Sequence, residues 1–334
     1  MNQKNRINSL DSLKAIAAFL VCYQHACGTG FLANSLLSIA KIAVPLFIMI
    51  TGYMYKDTVA VKREKNQIKR YISIAVEMGV FWFIVDTLYH FLRHDLLFYW
   101  KKFIDLDNIS RFLFFNDPVA ADHAWYMWAL IYVFVVLLVI PSLSQKRKLQ
   151  TMMILLGFIA ILSLGRYSFL FGKDYPYYFI RNFLCEGIPF FLVGMKIRQL
   201  DENKKIPNYK MNIGLVMNCI VLQILEFSLL EKIDPGVTSG IYIMTPFLGI
   251  AIFILCISLK EIVRESNILA VIGRKYSLFI YVVHPLFVRI EKKTINMESD
   301  WQYVGVVSVF VVSLLFAVVY SKTLKKTRLF RNVF

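Results

Sequence analysis

Charge is scarce in this chain. Only 18% of its 334 residues are Asp, Glu, Lys or Arg, whereas soluble domains carry roughly 25%. With 58% hydrophobic residues, 15% aromatics and a mean hydropathy of +0.57, the chain is too apolar for a water-exposed surface and too apolar for intrinsic disorder. Acidic residues are the scarcer sign: 22 Asp and Glu stand against 38 Lys and Arg, for a formal net charge of +16. Cysteine is also rare. Cys22, Cys27, Cys185, Cys219 and Cys256 form no C-x-x-C pair, which excludes the usual zinc and redox motifs and reads them as small buried apolar residues. There is no glycine-rich phosphate loop, no internal repeat and no low-complexity segment. No histidine pair on one helix face is joined by a carboxylate, so no metal site is expected.

What the chain has instead is long apolar runs. A helix needs about 20 mostly apolar residues to cross a bilayer core, and ten stretches qualify: 9–27, 34–54, 71–91, 123–141, 150–165, 178–196, 211–230, 240–259, 269–288 and 302–320. The expected fold is therefore an all-α polytopic membrane protein of about ten transmembrane helices, forming one domain over residues 1–334. A cytoplasmic N-terminus makes 1–8, 55–70, 142–149, 197–210, 260–268 and 321–334 the inner segments. These hold Lys56, Lys62, Arg63, Lys65, Lys69 and Arg70, then Lys146, Arg147 and Lys148, then Arg198, Lys204, Lys205 and Lys210. The tail adds Lys322, Lys325, Lys326, Arg328 and Arg331. That bias places both termini in the cytoplasm. It explains the net charge through anionic lipid rather than nucleic acid, which is not an expected partner. The start Met1–Arg6 is basic like a signal peptide, but no clean cleavage site follows, so an uncleaved first span is expected. The outer segment 92–122, with Leu96, Leu97, Tyr99, Trp100, Phe103 and Ile104, reads as a helix lying in the interface.

Ionisable groups inside apolar spans are costly, and each is a functional candidate. They are Lys14, His25, Glu77, Asp86, Arg181, Glu186, Glu226 and His284, with His123 at the head of the fourth span. All five histidines (His25, His90, His94, His123, His284) fall toward the outer ends of spans. Histidine suits proton transfer near neutral pH, so the pattern points to a polar cavity opening outward for His25 and His284, whereas for His90 and His94 an interfacial position is the expected explanation. Lys14 and His25 are eleven residues apart, about three turns and ~16 Å along one helix stripe. A phosphate-bearing donor at the cation and an acceptor at the imidazole fit this arrangement. A lysine snorkelling at a helix start explains Lys14 without any ligand.

Several segments resemble one family. Leu10-Asp11-Ser12-Leu13-Lys14-Ala15-Ile16-Ala17-Ala18 followed by His25 resembles the opening helix of the acyltransferase family 3 membrane proteins, bacterial integral-membrane O-acyltransferases, with Lys14 where the family carries Arg. Lysine keeps the charge but lacks the bidentate fork. In family order follow Val44–Tyr53, with its Thr51-Gly52-Tyr53; His123-Ala124-Trp125-Tyr126; Arg181-Asn182 before Pro189–Gly194; and Tyr276–Pro285, with Ser277, Tyr281, His284 and Pro285. The Glu226 span and Pro246 are most similar to the membrane domain of vancomycin-resistance serine racemases, a branch associated with amino-acid uptake. With Phe334 as its last residue the sequence is expected to hold that membrane part without a racemase domain.

The resemblance implies transfer of an acyl group, acetyl by expectation, from a cytoplasmic acyl-CoA to a hydroxyl of an envelope glycan or small acceptor. It implies a multi-pass protein of the bacterial cytoplasmic membrane, surrounded by its lipids and needing no metal. His25 would be the general base and Lys14, beside Asp11, would hold donor phosphate. His123 and Arg181, with Trp125, would steady substrate oxygens. Ser277 and Tyr281, one turn apart, would order His25 or the acceptor near His284. The alternative is an uptake protein for an amino acid or small polar solute, with Glu226, Glu186 and His284 on the solute or proton path. A scaffold would have no need of these charges.

Overall fold

The computed structural model describes residues 6–60, 64–235, 237, 240–294 and 301–323. The basic start before Arg6, and Lys62, Arg63, Lys325, Lys326, Arg328 and Arg331, lie outside the described residues. Among the described residues every regular element is helical. In chain order the α-helices are α1 (Asn8–Ala26), α2 (Phe31–Ala40), α3 (Ala43–Ala60), α4 (Glu64–Leu92), α5 (Leu96–Ile104), α6 (Leu106–Phe115), α7 (Trp125–Val139) and α8 (Ser142–Gln145). They continue with α9 (Arg147–Leu164), α10 (Ile188–Glu202), α11 (Tyr209–Ile233), α12 (Met244–Ser258), α13 (Ile268–Lys275), α14 (Ser277–Thr294) and α15 (Trp301–Thr323).

Each of the ten apolar stretches falls on helix, but they are not ten equal spans. Among the described residues six helical segments are long and apolar enough to cross a membrane: Phe31–Val59, Glu64–Leu92, Asp122–Val139, Arg147–Leu164, Tyr209–Ile233 and Tyr303–Thr323. A seventh counts if α13 and α14, bent by 77° at their junction, are one span. The stretch 240–259 forms a helix of only 15 residues. The first stretch forms a 19-residue helix, but Ser9, Asp11, Ser12, Lys14, Gln24 and His25 make it too polar to qualify on length and composition.

The stretch 178–196 is not one continuous α-helix, for a local reason. The chain makes a 3-10 turn at Tyr177–Phe179, breaks at Arg181-Asn182, then forms a π-helical turn at Phe183–Gly187 before α10. The buried Asn182 carboxamide accepts from the Leu184 and Cys185 amides and donates to the Tyr178 and Phe179 carbonyls. The Phe183 amide goes to Asn116 Oδ1, whose own Nδ2 donates to the Trp125 carbonyl. Two asparagines thus satisfy the backbone groups that an irregular turn exposes in a dry place.

The chain divides into two compact units. The first comprises the described residues of Met1–Tyr53 and Val193–Phe334, the second those of Met54–Leu192. In the first, α1 packs on α13, α14 and α15. Gly273 of α13 lies against the α1 backbone at Asp11 and Ala15, so closely that any Cβ there would run into the Asp11 carbonyl. Gly194 of α10 meets the Met49 carbonyl of α3 in the same way. Missing side chains let helix backbones approach closely, as is common where packing cannot draw on water exclusion. The second unit packs α4 on α7, with the π turn against α7 and α9. The segment 92–122, expected to form one interfacial helix, contributes two short helices, α5 and α6, whose Leu97, Phe98, Trp100, Ile104 and Leu106 are exposed.

Candidate functional site

In the first unit, α1 carries polar groups at both ends of one stripe, Asp11 and Lys14 at one and His25 at the other, with mostly apolar residues between. Asp11 is buried and is bonded by two cations: Lys14 Nζ lies 2.8 Å from Oδ1, and Arg6 Nε 3.2 Å from Oδ2. Lys14 is therefore not a lone ammonium. Two cations about one carboxylate leave a net positive end on α1, with both cations partly solvent-accessible. Nearby backbone is pinned to the same helix, since Asn8 Nδ2 donates to the Val263 carbonyl and Cys256 Sγ lies 2.8 Å from the Ser9 carbonyl.

At the other end of the stripe, the His25 ring lies against His284 of α14, with centroids 5.1 Å apart and planes tilted by 47°. His284 is fully buried, His25 half-buried. Tyr281 completes the group, its ring 6.0 Å from His284 and 6.3 Å from Phe47. His284 Nδ1 sits 2.8 Å from the Tyr281 carbonyl. A carbonyl only accepts, so Nδ1 carries the hydrogen and the neutral ring has its lone pair on Nε2. Ser277 does not join this group. Its hydroxyl donates to the Gly273 carbonyl at 2.6 Å, closing the end of α13 across the bend.

Glu226 has a structural task. Its Oε1 and Oε2 accept the Ile243 and Met244 amides at 2.6 and 2.8 Å, at the N-terminus of α12. The carboxylate meets the positive end of that helix, which accounts for a charge on α11 without a ligand. Beside it the buried Gln223 bonds the Ser38 carbonyl and Thr245. Replacing Glu226 with Gln is expected to lower the thermal stability of the purified protein by about 1 kcal/mol, through the lost helix-end charge interaction. An unchanged unfolding temperature would remove the capping role.

The second unit brings Trp125 and Arg181 together and sets His123 against Trp82. His123 is buried on the turn Asp122–Ala124, edge-on to Trp82 with centroids 5.2 Å apart. The Arg181 guanidinium lies 4.0 Å above the Tyr177 ring and 5.9 Å from the Trp125 ring, a cation between two aromatic faces. Asp117, in the loop before, is raised above the ordinary carboxylate range because burial outweighs the pull of Arg111 and Arg181. Burial, with Asp117 second, likewise raises Tyr177. An apolar cavity of ≈ 440 Å³ in this unit, lined by Val76, Gly79, Phe83, Phe112 and Trp128 among others, contains none of the candidate residues. Among the described residues no group of three or more His, Cys, Asp or Glu side chains is arranged to hold a metal.

Of the ten candidate residues, then, the first unit brings together His25, Tyr281 and His284, pairs Lys14 with Asp11, and sets Ser277 and Glu226 to backbone tasks. The second brings Trp125 and Arg181 together. Sequence reading missed Arg6 as a partner of Asp11, Tyr177 under Arg181, and a further cluster of the first unit, where Tyr53 donates to Asp201 at 2.6 Å and Lys260 bonds the same carboxylate at 2.7 and 2.9 Å.

Long apolar helices with ionisable side chains buried among them define a multi-pass membrane protein. The chain belongs to the acyltransferase family described as "Acyltransferase domain", whose model matches residues 7–322. It is 25% identical over 348 residues to a curated protein of Enterococcus faecalis described as "Amino-acid racemase"; the alignment covers 95% of this chain and 45% of that protein. The chain thus spans less than half the length of that relative. No solved structure matches it significantly.

Proposed function

We propose that the protein is an O-acyltransferase of the bacterial cytoplasmic membrane, with ten spans and both termini inside. It moves an acyl group, acetyl by preference, from acyl-CoA to a hydroxyl of an envelope glycan or small acceptor. The observation that carries this reading is the contact of His25 with the buried His284, whose Nδ1 lies 2.8 Å from the Tyr281 carbonyl, in a chain of an acyltransferase family. A hydroxyl is a weak nucleophile until its proton is removed as it attacks. In the proposed step a ring nitrogen of His25 takes that proton while the oxygen bonds to the thioester carbonyl carbon. The tetrahedral adduct then expels the CoA thiolate, which leaves with the proton as free thiol. Arg6 and Lys14 supply the positive end for donor phosphates. Phosphate has to displace Asp11 from at least one of them, and Lys14 is the more mobile point charge. Arg181, held by aromatic faces, and His123 are suited to steady substrate oxygens.

Labelled acetyl-CoA titrated into the purified full-length protein is expected to bind saturably and to weaken with salt. Lys14→Ala should weaken it about tenfold or more, the loss of one charge-assisted contact, and Lys14→Arg should retain it. Equal binding by Lys14→Ala would refute the phosphate role. Amino-acid accumulation in proteoliposomes without acyl-CoA, combined with no acetyl-CoA binding, would make the protein an uptake protein instead.

A further inference from the structure

Pro285 lies inside α14, directly after His284. Proline has no amide hydrogen. In an α-helix the amide of residue 285 would bond to the carbonyl of residue 281, so the Tyr281 carbonyl receives no amide from that position. It receives the Nδ1–H of His284 instead, at 2.8 Å, while the Ile280 carbonyl lies 3.3 Å from the same nitrogen. The imidazole is thus tied to its own helix on one side, at the point where the helix lacks a donor. The opposite ring nitrogen, Nε2, is turned away from that backbone, and the rings of His25 and Tyr281 pack on His284, His25 the nearer.

We propose that Pro285 is a positioning residue for the base. By withholding a backbone donor it leaves the Tyr281 carbonyl to His284, fixes that ring as the Nδ1–H tautomer and presents an acceptor nitrogen to His25. The two rings are in contact without a hydrogen bond at His284 Nε2 among the described residues; in the proposed step a ring N–H of His25 turns to that nitrogen, and the other nitrogen of His25 takes the proton of the acceptor hydroxyl. When that nitrogen takes the proton, the imidazolium keeps its bond to a neutral partner already in place. His284 then performs the orienting task that a base needs from a third group, and Pro285 performs it for His284. This rests on His25 as general base; the tautomer of His284 does not.

The experiment uses the full-length protein in lipid nanodiscs, with ¹⁵N-labelled histidine and the His284 signals assigned by their loss in His284→Gln. The wild type should show His284 with hydrogen on Nδ1 alone. Pro285→Ala restores an amide to compete for the Tyr281 carbonyl. It should give a mixture of His284 tautomers and lower kcat about tenfold, the usual scale for losing an orienting partner, with KM for acetyl-CoA unchanged. An α-hydroxy acid at position 285 has neither the ring nor an N–H, and should restore both the single tautomer and kcat. A single unchanged tautomer in Pro285→Ala overturns the proposal, and so does an ester variant as impaired as the alanine, which would make proline only a bend. Where Pro285→Ala does not fold, a wild-type His284 with hydrogen on Nε2 overturns it as well. Tautomers that respond as expected in a protein without acyl transfer would refute the enzymatic reading and leave the role of Pro285 standing.

Discussion

Replacing His25 with alanine is expected to lower acyl transfer by on the order of a hundred- to ten-thousandfold, the range typical for losing a general base. Acetyl-CoA binding should persist, because Lys14 lies about three turns away on α1 and Arg6 lies just before that helix. The fold should persist too. His25 is only half-buried, in the last turn of α1, and that turn is closed by the Cys27 amide on the Tyr23 carbonyl rather than by the imidazole. Two readouts separate the chemistry from expression: acetyl content of the envelope glycan in cells, and single-turnover transfer from labelled acetyl-CoA by the purified variant. Wild-type transfer by a monodisperse His25→Ala protein would dismiss His25 as the base.

The second large effect is on the fold. Gly273→Ala adds one carbon, and that carbon meets backbone: the Asp11 carbonyl, then the Ala15 amide nitrogen at 2.9 Å. No side chain can rotate away, so α13 must shift from α1. Overpacking of this kind costs about 3 kcal/mol. The shift acts at Asp11, one turn from Lys14, so donor binding should weaken together with stability. Gly214 in α11 is the control, since a Cβ there meets nothing within 4 Å. There alanine should change stability by about 1 kcal/mol at most, in the stabilising direction expected for a helix interior. Thermal unfolding in detergent, followed by tryptophan fluorescence, compares the two. A Gly273→Ala protein as stable as wild type would show that the helices pack less closely there than the structure has them.

The apolar runs made the helices legible, because a 20-residue apolar segment has few alternatives to helix in a membrane. They did not reveal where helices break. The 77° bend lies at Tyr276, in a run with no proline or glycine at the break itself. The π turn at Phe183–Gly187 is as apolar as the helix it interrupts; Asn182 was the visible sign, but its partner Asn116 is 66 residues earlier. At the site, Asp11 and Lys14 are three apart on one helix, so their pairing was readable from spacing alone. The His25–His284 contact joins residues 259 apart; the clustering of histidines at one depth pointed to a shared cavity, and the contact itself came only with the fold. Tyr53, Asp201 and Lys260 have neither a shared motif nor a shared helix, and only the fold unites them.

The rigidity of α1 has a consequence for how this chain can vary. The proposed donor cation, Lys14, and the proposed base, His25, ride on one uninterrupted helix, which makes α1 a ruler with both a length and a phase. One residue inserted between Lys14 and His25 adds only about 1.5 Å but turns the imidazole by about 100° about the axis, away from His284. The loops that join the helices can absorb such changes without moving either group. The interval from 14 to 25 cannot, and its residue count is as much part of the site as the side chains at its ends.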